Sequence, residues 1–260
     1  MKKILFVVVS LFASSLMSQP VNHTFVAGEE LTFRLYYDAW LADVTAGYGT
    51  VTVQKKPEIQ GGRPVYHIVG EGKSKGMFNL FFKVKDRFET WVDTASLLPC
   101  KFTRSTREGG YRKDDVVIFD QRAGTATSST KKKKIRPGTH DIISAVFFAR
   151  NLDISHVREG DILPVPFFLD DSVYTSAVKY LGRDTITIES GRFSCLKFKP
   201  MVATGAVFSD PYPMVLYVSD DRNHVPLLAE SAIVVGKVKM ELTNFKGLRY
   251  PMTSEIRKKR

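Results

Sequence analysis

A chain whose side chains alternate between apolar and polar has one regular way to bury the apolar set, which is a half-wet β-strand with a period of two. This sequence alternates from one end to the other. The runs beginning at Leu31, Gly49, Val65 and Arg87 do so, as do those beginning at Val173, Thr185, Cys195, Val215 and Val238. Gly61-Gly62, Gly109-Gly110, the stretch from Asp120 to Gly124, Gly182 and Ser190-Gly191 interrupt them with turn chemistry. About ten to twelve strands are predicted, antiparallel because each keeps one face in water. That number is too large for a small sandwich and suits a strongly curved sheet or open barrel. The fold class is all-β.

One segment breaks the alternation. Asp141 to Arg150 follows Pro137-Gly138, opens on a capping residue and is apolar around nearly its whole circumference. It predicts a short buried helix plugging one end of the curved sheet. The apolar hexamer Met77 to Phe82 reads as a helical turn or a buried strand, filling the core or covering a cavity. A faint repeat pairs Trp91-Val92-Asp93, Pro99 and Gly109 with Tyr217-Val218-Ser219, Pro226 and Gly236. Hairpin grammar alone or a duplication explains it. A duplication implies two half-sheets, 25–130 and 158–248, joined through the basic loop and the apolar helix, within one β domain spanning 19–250.

Residues 1–18 carry Lys2 and Lys3, the apolar run Ile4 to Phe12 and then small residues, the three parts of a secretory signal peptide cleaved after Ser18. No Cys follows the apolar run, so a lipid anchor of the lipoprotein kind is not expected, and no later stretch reaches the ~20 apolar residues of a membrane helix. The expectation is an exported, periplasmic or envelope-associated chain. Removing Lys2 and Lys3 takes the formal charge from +11 to +9. The excess sits in Lys131, Lys132, Lys133 and Lys134 and in the basic tail, 251–260, which ends Arg257-Lys258-Lys259-Arg260. An exported chain without finger, helix-turn-helix or ribonucleoprotein motifs argues against nucleic acid. Both basic blocks read either as contacts for anionic lipid or acidic polymer or as solvated segments, Lys131–Lys134 a loop and Arg257–Arg260 a frayed terminus.

Catalytic motifs are sparse. Gly72-x-Ser74-x-Gly76 matches the pattern of a nucleophile elbow, but that device needs a parallel α/β scaffold, which the strand pattern does not supply. The five histidines lack metal-ligand spacing. Asp170-Asp171 and Asp220-Asp221 read as turn acids, as calcium ligands, or as carboxylates facing across a cleft for glycoside hydrolysis. Cys100 and Cys195 either pair and close a long loop or stay free as small buried hydrophobes. The most informative polar set is Asp141, Ser144 and Arg150. Asp141 and Ser144 share a helix face, and a guanidinium at the end of an apolar helix needs a carboxylate partner if it is buried. Recognition of an anionic head group, with Phe147 beside it, is the functional reading of that set. No cofactor is expected.

These residues resemble a family. Gly28-Glu29-x-Leu31, Tyr36-Tyr37, Ala46-Gly47, Gly72-x-Ser74-x-Gly76, Val84-x-Asp86 and Leu98-Pro99-x-x-Phe102 occur in its order. Asp141-x-x-Ser144 with Arg150, Ser190-Gly191-x-Phe193-x-Cys195, and Ser219-Asp220-Asp221 with Pro226 continue it. The set is similar to the exported bacterial proteins grouped as domain of unknown function 3108. The resemblance implies an exported, largely β protein and brings no catalytic residue. The aromatic-Val-Asp…Pro unit is also loosely similar to periplasmic lipoprotein carriers, whose half-open barrels hold acyl chains. With 18 Phe and 10 Tyr to place, a curved apolar face must be filled, covered or loaded. The expectation is a non-catalytic protein that binds an apolar or amphiphilic ligand or an envelope partner. The alternatives are a hydrolase acting on polysaccharide or ester through paired acids or Ser74, and a structural module with a filled core.

Overall fold

In the computed structural model, residues 21–39, 42–201, 213–232 and 237–257 are described. The predicted signal peptide and Gly236 of the repeat lie outside them. The first half contributes β1 (Glu30–Ala39), β2 (Ala42–Val53), β3 (Glu58–Gln60), β4 (Arg63–Ser74), α1 (Phe78–Phe81), β5 (Lys85–Asp93), β6 (Pro99–Glu108), β7 (Tyr111–Asp120), β8 (Thr125–Thr127) and β9 (Lys132–Lys134). After α2 (Ile142–Arg150) come β10 (Ile162–Pro164), β11 (Phe167–Leu169), β12 (Ser172–Tyr174), β13 (Ala177–Ile188), β14 (Gly191–Pro200), β15 (Met214–Ser219), β16 (Pro226–Ala232) and β17 (Lys237–Lys246). Among the described residues eleven of the seventeen strands have six residues or more. The alternating runs account for eight of these, whereas β6, β7 and β16 are not among them and the run at Val173 begins in the three-residue β12. The other six strands are three-residue pieces.

Fifteen strands form one antiparallel sheet in the order β10-β13-β14-β15-β16-β17-β1-β2-β4-β5-β6-β7-β8-β9, with β3 beside β4. The two halves are therefore continuous through the β17–β1 ladder, where Leu35 faces Met240. The chain passes between the halves through the lysine segment and α2, and that ladder joins them a second time, edge to edge. The sheet curves without closing, and β11 and β12 form a separate hairpin. Gly47, at a register shift of β1 against β2, lies so close to the Lys73 backbone that a Cβ there would collide with it. That proximity accounts for the Ala46-Gly47 motif.

The two segments paired by sequence form turns of similar build. The β5–β6 ladder slips at Trp91/Val92 so that Val92 faces Pro99, and β15–β16 slips at Tyr217/Val218 so that Val218 faces Pro226. Two residues before each proline the backbone turns left-handed, at Leu97 (φ 56°) and His224 (φ 46°). That conformation costs an L-residue roughly 1–2 kcal/mol. Each turn is closed by a backbone bond to the residue before the proline, Asp93 N–H to Leu98 O (3.0 Å) and Ser219 N–H to Val225 O (2.8 Å), the second turn being one residue longer.

Two expectations are corrected. Lys132, Lys133 and Lys134 are an exposed edge strand rather than a loop, with the ladder satisfied by β8 on one side and charge guarding the other. The Met77–Phe82 hexamer does form a helical turn, but that turn is exposed and fills no core. Of the basic tail, residues 254–256 are tied to β14. Ser194 N–H donates to Ser254 O (2.9 Å) and Ile256 N–H to Arg192 O (2.7 Å), and Glu255 bridges Phe193 along β14. Residues 258–260 lie outside the described ones.

Candidate ligand cavity

The helix α2 is cut to length by its ends. Asp141 Oδ1 accepts the N–H groups of Ile143 (2.8 Å) and Ser144 (2.9 Å), while Ser144 Oγ accepts the Asp141 N–H (3.0 Å), which is a capping box. Asp141 Oδ2 accepts the hydroxyls of Thr90 (2.6 Å) and Ser144 (2.9 Å), tying the helix start to β5. Burial pushes the Asp141 carboxyl up, and these four bonds pull it back. Asp141→Ala should lower the unfolding free energy by about 2–3 kcal/mol, a cap loss plus a stranded Thr90 hydroxyl, measured by urea denaturation. Asp141→Asn should cost less.

The two faces of α2 meet different surroundings. Ile143 and Phe147 face the first half of the sheet, packing with Phe25, Ile68, Val92 and Leu97. The Phe147 ring sits edge-on to Phe25 at 4.8 Å. At the last turn Arg150 is buried, and its guanidinium forms two bonds with Glu29, Nη1 to Oε1 at 2.5 Å and Nη2 to Oε2 at 3.0 Å. Nε and Nη2 also donate to Asn223 O (3.1 and 3.0 Å). All the strong donors of Arg150 thus point into the protein.

The opposite face carries Ile142, Ala145, Val146 and Ala149 and looks toward the second half of the sheet. Two of these are alanines, and they leave a gap. The space between this face and Val178, Leu196, Phe198, Leu216 and Val218 is a cavity of about 220 Å³. Leu163, Val165 and Phe167 close another side. Its polar residues are few: Arg150, Ser176 and His224. His224 is held by a 2.7 Å bond from its Nδ1 to Arg150 O, and burial keeps its imidazole below the ordinary range. The cavity therefore offers an apolar surface and almost no charge.

The other sequence candidates lie apart from this space. Ser74 Oγ donates to Asn79 Oδ1 (2.6 Å) and accepts the Val84 N–H (2.8 Å), so it braces the α1 turn. No parallel strand and no elbow geometry surround it. Both cysteines are free. Pairing does not occur because β6 and β14 lie on opposite sides of the β17–β1 junction: Cys100 Sγ contacts Trp91 O at 3.2 Å, and Cys195 belongs to the core of the second half. Burial raises both thiols, Cys195 to about 11, which disfavours the reactive thiolate.

Asp170 and Asp171 both adopt left-handed backbone at a turn. Asp170 pairs with Arg104 and Lys113, and Asp171 accepts from Ser128 (2.5 Å) and Thr130 (2.6 Å). Asp220 pairs with Arg183, and Asp221 binds Ser219, the Asn223 N–H and Ser254. Among the described residues no three His, Cys, Asp or Glu side chains are grouped to hold a metal ion.

One cluster has no signal in the sequence. His67 is held between Glu58 and Glu89, each 2.8 Å from a ring nitrogen, and stacks on its cross-strand partner Trp91 at 4.3 Å. Only strand register brings these residues together. The cavity wall was more legible, since its leucines, valines and Phe198 are the apolar members of alternating strands.

The model of the family described as "Protein of unknown function (DUF3108)" matches residues 32–243. No curated protein matches the chain. Among solved structures, a β-barrel-like protein of domain of unknown function DUF1849 from Brucella abortus aligns with a TM-score of 0.55 at 8% identity, covering 86% of this chain and 98% of that one. It shows the same kind of curved, barrel-like sheet. Two others align less well. A lipoprotein candidate from Parabacteroides distasonis has a TM-score of 0.39 at 12% identity, covering 86% and 100%. A protein of YmcC-like fold from Bacteroides fragilis has 0.36 at 11% identity, covering 87% and 99%. Among the described residues no helix is long and apolar enough to cross a membrane.

Proposed function

Since the chain belongs to the DUF3108 family, whose description carries no activity, its function has to be read from its own cavity, and we propose a non-catalytic binding protein for an apolar ligand. The observation that carries this reading is the unfilled space between the alanine-bearing face of α2 and the second half-sheet. In the first half the helix fills the concave surface with Ile143 and Phe147. In the second half Leu196, Phe198 and Val218 meet no equivalent side chains from it. A cavity near 150 Å³ lined by apolar side chains accepts benzene, and one of about 220 Å³ accommodates a ring system or a stretch of acyl chain. The near absence of charge in the lining favours a hydrocarbon portion, with any polar head left outside. Glu29 and Asn223 hold the Arg150 guanidinium. Export after removal of residues 1–18 belongs to the same proposal and would place the protein where amphiphiles are exchanged between compartments.

The test uses protein purified without detergent and examined by native mass spectrometry and by titration with N-phenyl-1-naphthylamine. A co-purifying apolar adduct, or saturable dye fluorescence at one site, is expected. Ala145→Leu with Ala149→Leu should fill the space and abolish either signal while the thermal midpoint stays the same or rises. Dye or adduct retained by that variant would show that the ligand sits elsewhere and sink the reading.

A further inference from the structure

The segment 73–85 places two lysines on each side of an apolar hexamer: Lys73 and Lys75 before it, Lys83 and Lys85 after it. In the structure β4 ends at Ser74, β5 starts at Lys85, and the hexamer between them turns through α1 with no residue buried. Met77, Leu80 and Phe81 are 73%, 80% and 84% exposed. Three large apolar side chains this bare within five residues exceed the scattered exposure normal for a surface.

The turn that presents them is firmly held. Ser74 bonds to Asn79 and to the Val84 N–H, Lys75 N–H donates to Ala46 O (2.9 Å), and Phe82 N–H donates to Phe78 O (2.9 Å). Phe82 lies edge-on to Phe78 and packs on the β6–β7 turn, where a Cβ at Gly109 (φ +56°) would press on its ring. Phe78 and Phe82 thus support the turn while Met77, Leu80 and Phe81 point away from it. The Gly72-x-Ser74-x-Gly76 motif, which is not a nucleophile elbow, has its role here as the base of the tip.

All four flanking lysines are exposed, and among the described residues none of their ammonium groups has an ion-pair partner. Lys75 lies over the Tyr48 ring at 5.0 Å. Asp86, next in sequence, accepts the Arg107 N–H (2.9 Å). An apolar point ringed by unpaired lysines matches the interface of a bilayer, with acyl carbon below and phosphate above, and long lysine stems reach from one to the other. Two copies of this chain meeting tip to tip would set lysines against lysines. We propose that the α1 tip docks onto an anionic phospholipid surface, Met77, Leu80 and Phe81 entering the acyl boundary while Lys73, Lys75, Lys83 and Lys85 meet the phosphates.

The experiment is co-sedimentation of the full chain with extruded vesicles of phosphatidylcholine, with and without phosphatidylglycerol. Binding is expected only where phosphatidylglycerol is present, and it should weaken as salt rises. Leu80→Ser with Phe81→Ser should reduce the partition coefficient on the order of tenfold or more, with an unchanged circular dichroism spectrum and thermal midpoint. Replacing the four lysines by Gln should remove the salt dependence. The proposal is overturned if the chain ignores phosphatidylglycerol vesicles or if the serine variant binds them as well as wild type does. It is equally overturned if replacing Lys131–Lys134 instead abolishes binding, or if sedimentation equilibrium shows a dimer that the serine variant dissolves. None of these results depends on whether the cavity holds a ligand.

Discussion

Arg150→Met should lower the unfolding free energy by about 3–5 kcal/mol, because it leaves the Glu29 carboxylate buried without its counter-charge. Both side chains are almost fully shielded, 3% and 1% exposed, so water cannot take over the lost bonds. The guanidinium also supplies donors to Asn223 O in the β15–β16 turn, and it lies over the rings of Phe25 and Phe147 at 5.7 and 5.1 Å. One side chain therefore joins three segments remote in sequence: the approach to β1, the end of α2 and the turn before β16. Against a typical domain stability of about 5–15 kcal/mol, a loss of this size removes a large share of the total. Glu29→Leu combined with Arg150→Met removes both charges, and it should recover much of the loss. The double-mutant cycle, measured by urea denaturation, decides the matter. A coupling below ~1 kcal/mol would show that the pair holds no more than an exposed ion pair does.

The demand for such a partner was legible: a guanidinium closing an apolar helix requires a carboxylate. Which carboxylate was not, since Glu29 stands 121 positions away and no local pattern points to it. The same limit governs the rest of the structure. Period two identified the long strands because each has one wet face, yet Cys195 and Leu196 are consecutive and both buried. Cys195 packs with Phe193 and Leu227 while Leu196 packs with Tyr180 and Phe198 in a separate cluster, so both faces of β14 are covered there, and alternation cannot register a strand buried on both sides. The Met77–Phe82 run reads as interior by composition. Its exposure follows from where the β4–β5 connection leaves the sheet, which is a tertiary fact. Lys132–Lys134 read as loop by charge, whereas an edge strand tolerates lysines because its backbone needs only one neighbour. The cavity depends on Ala145 and Ala149 sharing one helix face opposite the second half-sheet. The all-round apolar helix was visible, and the gap beside it was not.

Acid should destabilise the fold through His140 well before the carboxylates titrate. The residue joins the start of α2 to β11, with His140 N–H donating to Pro166 O (2.9 Å) and Phe168 N–H donating to His140 O (2.7 Å). Its ring is fully buried against Phe148 at 4.4 Å, and among the described residues neither ring nitrogen has a hydrogen-bond partner. Burial drives its pKa from 6.5 down to about 3. The folded value is below the unfolded one, so the unfolded chain takes up the proton first, and stability falls as pH drops through the unfolded pKa. The contribution is complete above about pH 7, about 2 kcal/mol has gone by pH 5, and the loss continues at ~1.4 kcal/mol per pH unit toward the folded pKa. At pH 5 the figure depends on the unfolded value alone, provided the folded pKa is below about 4. His224, also depressed by burial, acts in the same direction. Asp141, raised by burial, acts in the opposite one, because its folded form gains the proton more readily. Asp93, Glu89 and Asp170, held low by their partners, lose their contributions only as pH falls below the ordinary carboxylate range. The difference between wild type and His140→Phe cancels these shared contributions. Urea denaturation at pH 7 and pH 5 should show the variant losing about 2 kcal/mol less than wild type over that interval, and equal losses in the two proteins would mean that the ring finds a proton-bound state inside the fold.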